Sequence, residues 1–446
     1  MNKLLRPLFD RPHRIVGVLW PLALLTPFVP GLPRPANGGF TWRQELALAC
    51  LLSLSFALLW RRAAARGRGA SCDFPRPVLL AVAPLAAFVA WGAASALWSS
   101  NGFAAVYYAL SWAAYLLFFL LALRASASPR VLRSSVAVLG CAVFVIAAAN
   151  AVGHLGSANS LLRQNGLGEP VAVSIPLFAA LALRVRRRRA ALLCGLVAVL
   201  AWLSVLQIAE RASFVGVCAG LLLLAAAACA TPRFRPRNRW RPLLLALAFA
   251  ACLASQFAPP PLERSAHQPV LARLGATSAV DLNARARFLY WAAAFEMWRA
   301  RPLAGVGAGG FSTKMPEARA AFASRHPDST LPAVNENFLC AGAHNEYLQI
   351  LAELGAVGAA LFLAFCAALV RSAWRALRVA RGPLAPGAVA CLTAFALSSG
   401  ASMVSFRWMG SGMVFFFAAA LVTACALRRP ALCTPAASRC RCSSPA

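Results

Sequence analysis

AALLCGLVAVLAWLSVLQIAERASFVGVCAGLLLLAAAACA, residues 190–230, consists of two apolar runs that meet at Glu210-Arg211. Each run is long enough to cross a hydrocarbon core of roughly 30 Å as a helix. The joint between them is too short for an independent soluble connection, so the two runs read as a hairpin that crosses a membrane and returns. Basic residues flank the pair, Arg184 to Arg189 before it and Arg233 to Arg241 after it. A hairpin with both ends basic and an almost uncharged tip has its ends in the cytoplasm.

Working outward, about twelve runs of this kind are found. They lie near 14–31, 45–60, 77–98, 103–123, 134–154, 168–183, 190–208, 212–230, 242–258, 346–370, 384–405 and 408–427. In lipid each must satisfy its own backbone polar groups, which makes it a helix. Pro21, Pro84 and Pro176 inside these runs then read as kinks. The expected fold is all-α and polytopic, with both termini cytoplasmic. Helices one to nine occupy 1–258, a large periplasmic loop with short helices occupies 259–345, helices ten to twelve occupy 346–427, and a disordered cytoplasmic tail occupies 428–446. The first run has the basic start of a signal sequence but no small-residue cleavage site, and is expected to be retained as an anchor.

Charge supports this alternation. Of 446 residues 60% are hydrophobic and 13% charged, and 44 Lys and Arg face 13 Asp and Glu for a net charge of +31. Soluble domains carry about 25% charged residues, and disorder requires low hydrophobicity. A nucleic-acid binder would not set its basic residues between long apolar runs. With the N-terminus inside, thirty basic residues fall in cytoplasmic segments, five in short outer loops and nine in the long outer loop. The positive charge is thus mainly topological. Most of the 14 Cys lie within spans as small apolar residues, and the long loop holds only Cys340, so it has no internal disulfide.

The few basic residues outside the cytoplasmic segments are the informative ones. Arg163 lies in Leu162-Arg163-Gln164-Asn165, Arg211 at the hairpin tip, and Arg407 in Ser405-Phe406-Arg407-Trp408. An ionisable group near membrane depth is costly and marks a functional site by default; snorkelling to headgroups is the bland alternative. Arg211 ranks first because its turn is shortest, then Arg163, then Arg407. In the long loop Phe288, Trp291, Phe295 and Trp298 recur at helical spacing, which predicts an interfacial helix with aromatics toward lipid and with Arg285 and Arg287 at the level of phosphates. Gly305-Val306-Gly307-Ala308-Gly309-Gly310 follows, and is read as a tight packed turn rather than a phosphate loop, with no helix expected where such a loop needs one.

The loop re-enters the membrane at Ala343-His344-Asn345-Glu346-Tyr347-Leu348. Asn345 is the expected N-cap. Glu346, Gln349 and Glu353 share one helical face, which should meet protein or a water-filled cavity. His344 beside the positive helix end is expected to stay neutral, as a general base requires. Clustered Arg with such a His suits transfer of a group from a phosphorylated donor to a hydroxyl. No metal-binding motif is visible, and no cofactor is expected.

The residues His344-Asn345-Glu346-Tyr347-Leu348, Glu353-Leu354-Gly355, Gly358 and Pro302-Leu303-Ala304-Gly305-Val306-Gly307, with Arg287 upstream, resemble the bacterial O-antigen ligase and polymerase superfamily of membrane glycosyltransferases. Glu210-Arg211-Ala212-Ser213 is similar to that family's Arg-Ser/Thr outer turn, in altered order. Arg163-Gln164-Asn165 is similar to its Gln/Asn-rich outer turn but lacks the usual Pro-Asn pair. The resemblance implies an inner-membrane enzyme with a periplasmic site, a polyprenyl-diphosphate-linked glycan as donor, no nucleotide sugar and no metal. It implies that His344 activates the acceptor hydroxyl and that Arg211 and Arg287 hold the diphosphate, with Arg163, Arg285, Asn345 and Glu346 as further substrate-binding residues. Inversion at the anomeric carbon follows. The acceptor ranks as lipid A-core first, a second lipid-linked repeat unit next, and an exported protein third, because Ser402 to Arg407 lacks the protein-modifying branch's His, Glu and Pro pattern. A lipid or glycan transporter is the reading from another class, disfavoured by the lack of an internal repeat.

Overall fold

The computed structural model describes residues 12–28, 53, 76–156, 167–257, 270–275, 282–334, 340, 342–402 and 405–427. Among the described residues the fold is helical throughout. Eight helices are long and apolar enough to cross a membrane. They include α2 (Arg76–Ala94), α3 (Gly102–Ser126), α4 (Pro129–Gly156), α6 (Arg188–Ile208), α7 (Arg211–Ala230), α8 (Trp240–Ala254), α12 (Glu346–Val379) and α14 (Met409–Leu427). Three shorter helices coincide with expected runs: α1 (Pro12–Leu25), α5 (Gly168–Arg184) and α13 (Leu384–Ser399). Of the expected run near 45–60 only residue 53 is described, and Arg163 and the tail 428–446 lie outside the described residues.

The order of burial follows from sequence. Nearly every residue of α14 from Met409 to Ala426 is buried, and so is α5 from Gly168 to Ala182. These two form the centre. By contrast α8 buries none of its residues and presents Leu243, Leu244 and Leu247 outward. Without a hydrophobic drive between helices in lipid, small residues decide which backbones approach. Gly216 and Gly220 of α7 lie against the Ala394 and Ala390 carbonyls of α13, at 2.4 and 2.7 Å from where a Cβ would stand. Gly412 of α14 receives the Tyr115 ring, whose hydroxyl donates to the Phe406 carbonyl at 2.9 Å.

The basic turns gather at one end of the bundle. Arg184 donates to the Arg235 and Arg381 carbonyls, Arg233 to the Arg378 carbonyl, and Arg241 to the Val185 carbonyl at 2.7 Å. Segments assigned to one side of the membrane by charge alone therefore meet in space.

At the other end the long loop contributes α9 (Val270–Gly275), α10 (Leu282–Ala300) and α11 (Phe311–Arg325). Leu289, Tyr290, Ala293 and Met297 of α10 share one core with Val306, Phe311, Met315, Ala343 and Ala352. The loop is therefore packed onto the start of α12. The outward face of α10 carries Phe288 and Phe295, both close to half exposed, as the aromatic stripe predicts. Two expectations need correction. Helix α12 runs on to Val379 rather than ending near 370, so Arg371, Arg375 and Arg378 extend the helix instead of forming a loop. A helix also does begin directly after the glycine run, at Phe311.

Candidate active site

The site is built around the broken start of α12. Asn345 caps it, its side chain accepting from the Tyr347 and Leu348 amides at 3.1 Å each. Two of the helix's orphan donors are thereby satisfied, as the sequence predicts. Ten residues further on, Gly355 has φ +66 and interrupts the helix. That left-handed conformation is open to glycine and costly for other residues. The carbonyls freed by the break receive the glycine run: Val306 and Gly307 amides donate to the Ala352 and Glu353 carbonyls at 3.0 and 2.9 Å, and Ala356 donates to Pro302 at 2.8 Å.

The space beside the glycines is taken up by protein. A Cβ at Gly305 would lie 2.4 Å from Glu353 backbone, one at Gly307 2.4 Å from Ser99, and one at Gly309 2.4 Å from Ala104. The run is a packed turn, filled by protein. Even the first amide of α11, at Phe311, donates to the Glu353 carboxylate at 3.3 Å.

His344 has φ +53, a left-handed conformation for a residue with a Cβ. Such strain persists where neighbours over-determine it and is enriched at functional sites. Here the imidazole stacks on the Tyr290 ring of α10 at 5.5 Å and 21°. Burial first, and then the positive charge of Arg287, push its pKa down to about 4. The imidazole is thus neutral at pH 7. Arg287 stands one turn before Tyr290 on α10, which is why it reaches His344. Arg285, two residues earlier, turns elsewhere and donates to the Thr330 hydroxyl at 2.6 Å.

Beneath His344 is a buried polar group. Glu346, Gln349 and Glu353 are each between 3% and 6% exposed, so their shared face does meet protein. Glu353 pairs with Arg407 at 3.1 Å and accepts from the Gln349 amide at 2.7 Å. The Arg407 guanidinium also donates to the Tyr108 hydroxyl and lies 4.6 Å from that ring's centre. A small cavity is lined by Tyr108, Trp112, Glu346, Gln349, Glu353 and Arg407.

Of the residues singled out in the sequence, His344, Arg287, Asn345 and Glu346 come together. Arg211 opens α7 and donates to the Arg273 carbonyl at 3.3 Å, while Arg273 returns a bond to the Ala209 carbonyl at 2.9 Å. Arg211 is thus tied to α9. Arg407, ranked last from sequence, is the cation at the centre of the buried group. Glu169 was missed altogether. It is buried at the start of α5 and accepts from the Ser398 and Ser405 hydroxyls at 2.7 and 3.2 Å. Its signal was a lone acid opening an apolar run. Among the described residues no three His, Cys, Asp or Glu side chains form a metal-binding set.

The fold and this recess define a multi-pass membrane protein with ionisable groups gathered at one end of its bundle. The O-antigen ligase family model matches residues 196–363, from within α6 to within α12. The superfamily resemblance drawn from the His344 and Gly305 segments therefore holds over that stretch, which includes Arg211, Arg287 and His344. It supports a ligase- or polymerase-type glycosyltransferase activity. No curated protein matches the chain.

Proposed function

We propose that the chain transfers a glycan from a polyprenyl-diphosphate donor to the sugar core of lipid A, at the periplasmic face of the bacterial inner membrane. The observation that carries this reading is His344: a neutral imidazole held in a strained turn, beside the cation Arg287, at the end of the bundle away from the arginine-rich turns. Positive-inside bias puts that end outside the cytoplasm.

The chemistry follows from the parts. The acceptor oxygen attacks the anomeric carbon from the face opposite the diphosphate. Its proton passes to the His344 imidazole, and the anomeric C–O bond breaks with its electron pair leaving on the diphosphate. Arg287 offsets the negative charge that develops there, a role suited to a guanidinium's planar pair of donors. Arg211 holds the second phosphate, and Arg163 and Arg285 are further donor-binding residues. Asn345 fixes the backbone next to the base, and Glu346 lines the small cavity beneath it, where it meets an acceptor hydroxyl that enters. Cleavage of the sugar–diphosphate bond supplies the driving force.

The test is transfer in proteoliposomes containing the full chain and a lipid-linked glycan. Three acceptors are supplied in separate arms: lipid A-core, a second lipid-linked repeat unit, and an exported Ser/Thr-rich protein. Product on lipid A-core alone is the expected result. Product only on the repeat unit would make the chain a polymerase, and donor flipping without product would make it a transporter.

A further inference from the structure

The buried group beneath His344 runs in an unbroken order from the bundle to the base. Arg407 pairs with one oxygen of Glu353 at 3.1 Å. The other Glu353 oxygen accepts from Gln349 Nε2 at 2.7 Å. Gln349 Oε1 in turn accepts from the Ala343 amide at 2.5 Å, and Ala343 immediately precedes His344. Gly342 lies directly on this assembly: a Cβ there would be 2.9 Å from Gln349 Oε1 and 3.7 Å from Arg407 Nε. Each member has its direction set by the next. The Gln349 amide can present its oxygen to Ala343 only because its nitrogen donates to Glu353. Glu353 offers one oxygen to that donor while Arg407 occupies its other oxygen.

We propose that Gln349, Glu353 and Arg407 form a positioning relay that holds the Ala343–His344 turn, and with it the imidazole, in the orientation that accepts the acceptor's proton. The three residues do not touch substrate. They convert an ion pair within the bundle into a fixed backbone geometry at the base, and the left-handed φ of His344 is the strain that the relay sustains. Sequence places Gln349 and Glu353 on one helical face but does not join Arg407 to them, because Arg407 comes from the turn before α14, 63 residues downstream of the base. This inference rests on the reading of His344 as the base.

Gln349→Met tests it, because this change removes both amide bonds at similar length and leaves the Glu353–Arg407 pair in place. In proteoliposomes with lipid-linked donor and lipid A-core, kcat should fall at least about tenfold while KM for both substrates stays within about twofold. The same change in a His344→Ala background should cause no further loss, since the relay acts only through the base. A second readout does not use transfer: the rate of carbethoxylation of His344 by diethyl pyrocarbonate, followed by peptide mass spectrometry, should change at least threefold with the melting temperature held. Unchanged kcat together with an unchanged modification rate would overturn the relay. So would losses that multiply in the double variant. If His344→Ala retains transfer, the base assignment fails, and the modification rate still judges the relay. Should Gln349→Met not be recovered folded, Glu353→Gln keeps the shape but leaves one acceptor oxygen where two are used, so it cannot hold both Arg407 and the Gln349 amide. The same split between kcat and KM is expected, and unchanged kcat would overturn the proposal.

Discussion

The two ends of the bundle use the same residue type in opposite ways. At the basic end arginines crowd the turns at 184–189 and 233–241 and the end of α12 at 371–381, lie mostly at the surface, and donate to backbone carbonyls or rest on rings, as Arg378 does on Trp374 at 4.3 Å. At the His344 end cations are few, and Arg407 is buried with its side chain only 13% exposed against a Glu353 side chain at 7%. Where water reaches a guanidinium, its loss is screened and shared among neighbours. Where water is excluded, each charge depends on one partner, and removing either leaves the other uncompensated. Abundance marks orientation, and desolvation marks the site.

That contrast can be broken most severely at His344. His344→Ala should lower transfer by roughly 10²–10⁴-fold, the usual contribution of a general base, with folding intact by size-exclusion chromatography; a loss under tenfold would remove the base from the mechanism. Arg407→Met should destabilise the chain by about 3–5 kcal/mol through the stranded Glu353 carboxylate, read as a lowered thermal midpoint in detergent. Arg407→Met paired with Glu353→Leu should recover much of that loss, because both charges are then gone. Gly355→Ala should cost more than about 1 kcal/mol, since a Cβ would stand 2.2 Å from the Leu303 carbonyl at φ +66.

Arg287→Gln sharpens the comparison more gently. Arg287 helps hold the His344 pKa down to about 4, so its removal should raise that pKa toward the ordinary value of about 6.5. More imidazole is then protonated at pH 5, so the acid limb of the kcat profile should move upward, in addition to a pH-independent loss from the missing cation at the diphosphate. Donor KM should also rise. An acid limb that stays in place would separate Arg287 from the base. The smallest effect is expected at the basic end, where Arg186→Gln or Arg188→Gln should change stability by less than about 0.5 kcal/mol and leave transfer unaltered.

Much of this could be read from sequence, for identifiable reasons. Span positions follow from run length, and the grouping of basic turns follows from charge, because both are local properties of the chain. The capped start of α12 was legible for the same reason, as Asn345 and the polar face of Glu346, Gln349 and Glu353 lie within nine residues. Arg407 was under-ranked because its partners, Glu353 and Tyr108, come from α12 and α3, and nothing local shows that they converge. Glu169 was passed over because its hydroxyl partners lie more than 200 residues away, in and after α13. The receiver of the glycine run was equally hidden: the run's composition announced a tight turn, but only the break at Gly355 shows what it closes upon.

The break also has a consequence for how the chain tolerates change. A continuous helix of 34 residues would span about 51 Å and would carry any rotation along its whole length. Interrupted at Gly355, α12 is two rods that share a joint. The lower rod takes its rotational setting from the bundle, and the upper rod takes its setting from the loop seated against it. A residue inserted below Gly355 would turn the lipid-facing surface by about 100° without carrying His344 round with it. Sequence drift in the span is thereby kept from reaching the chemistry above it.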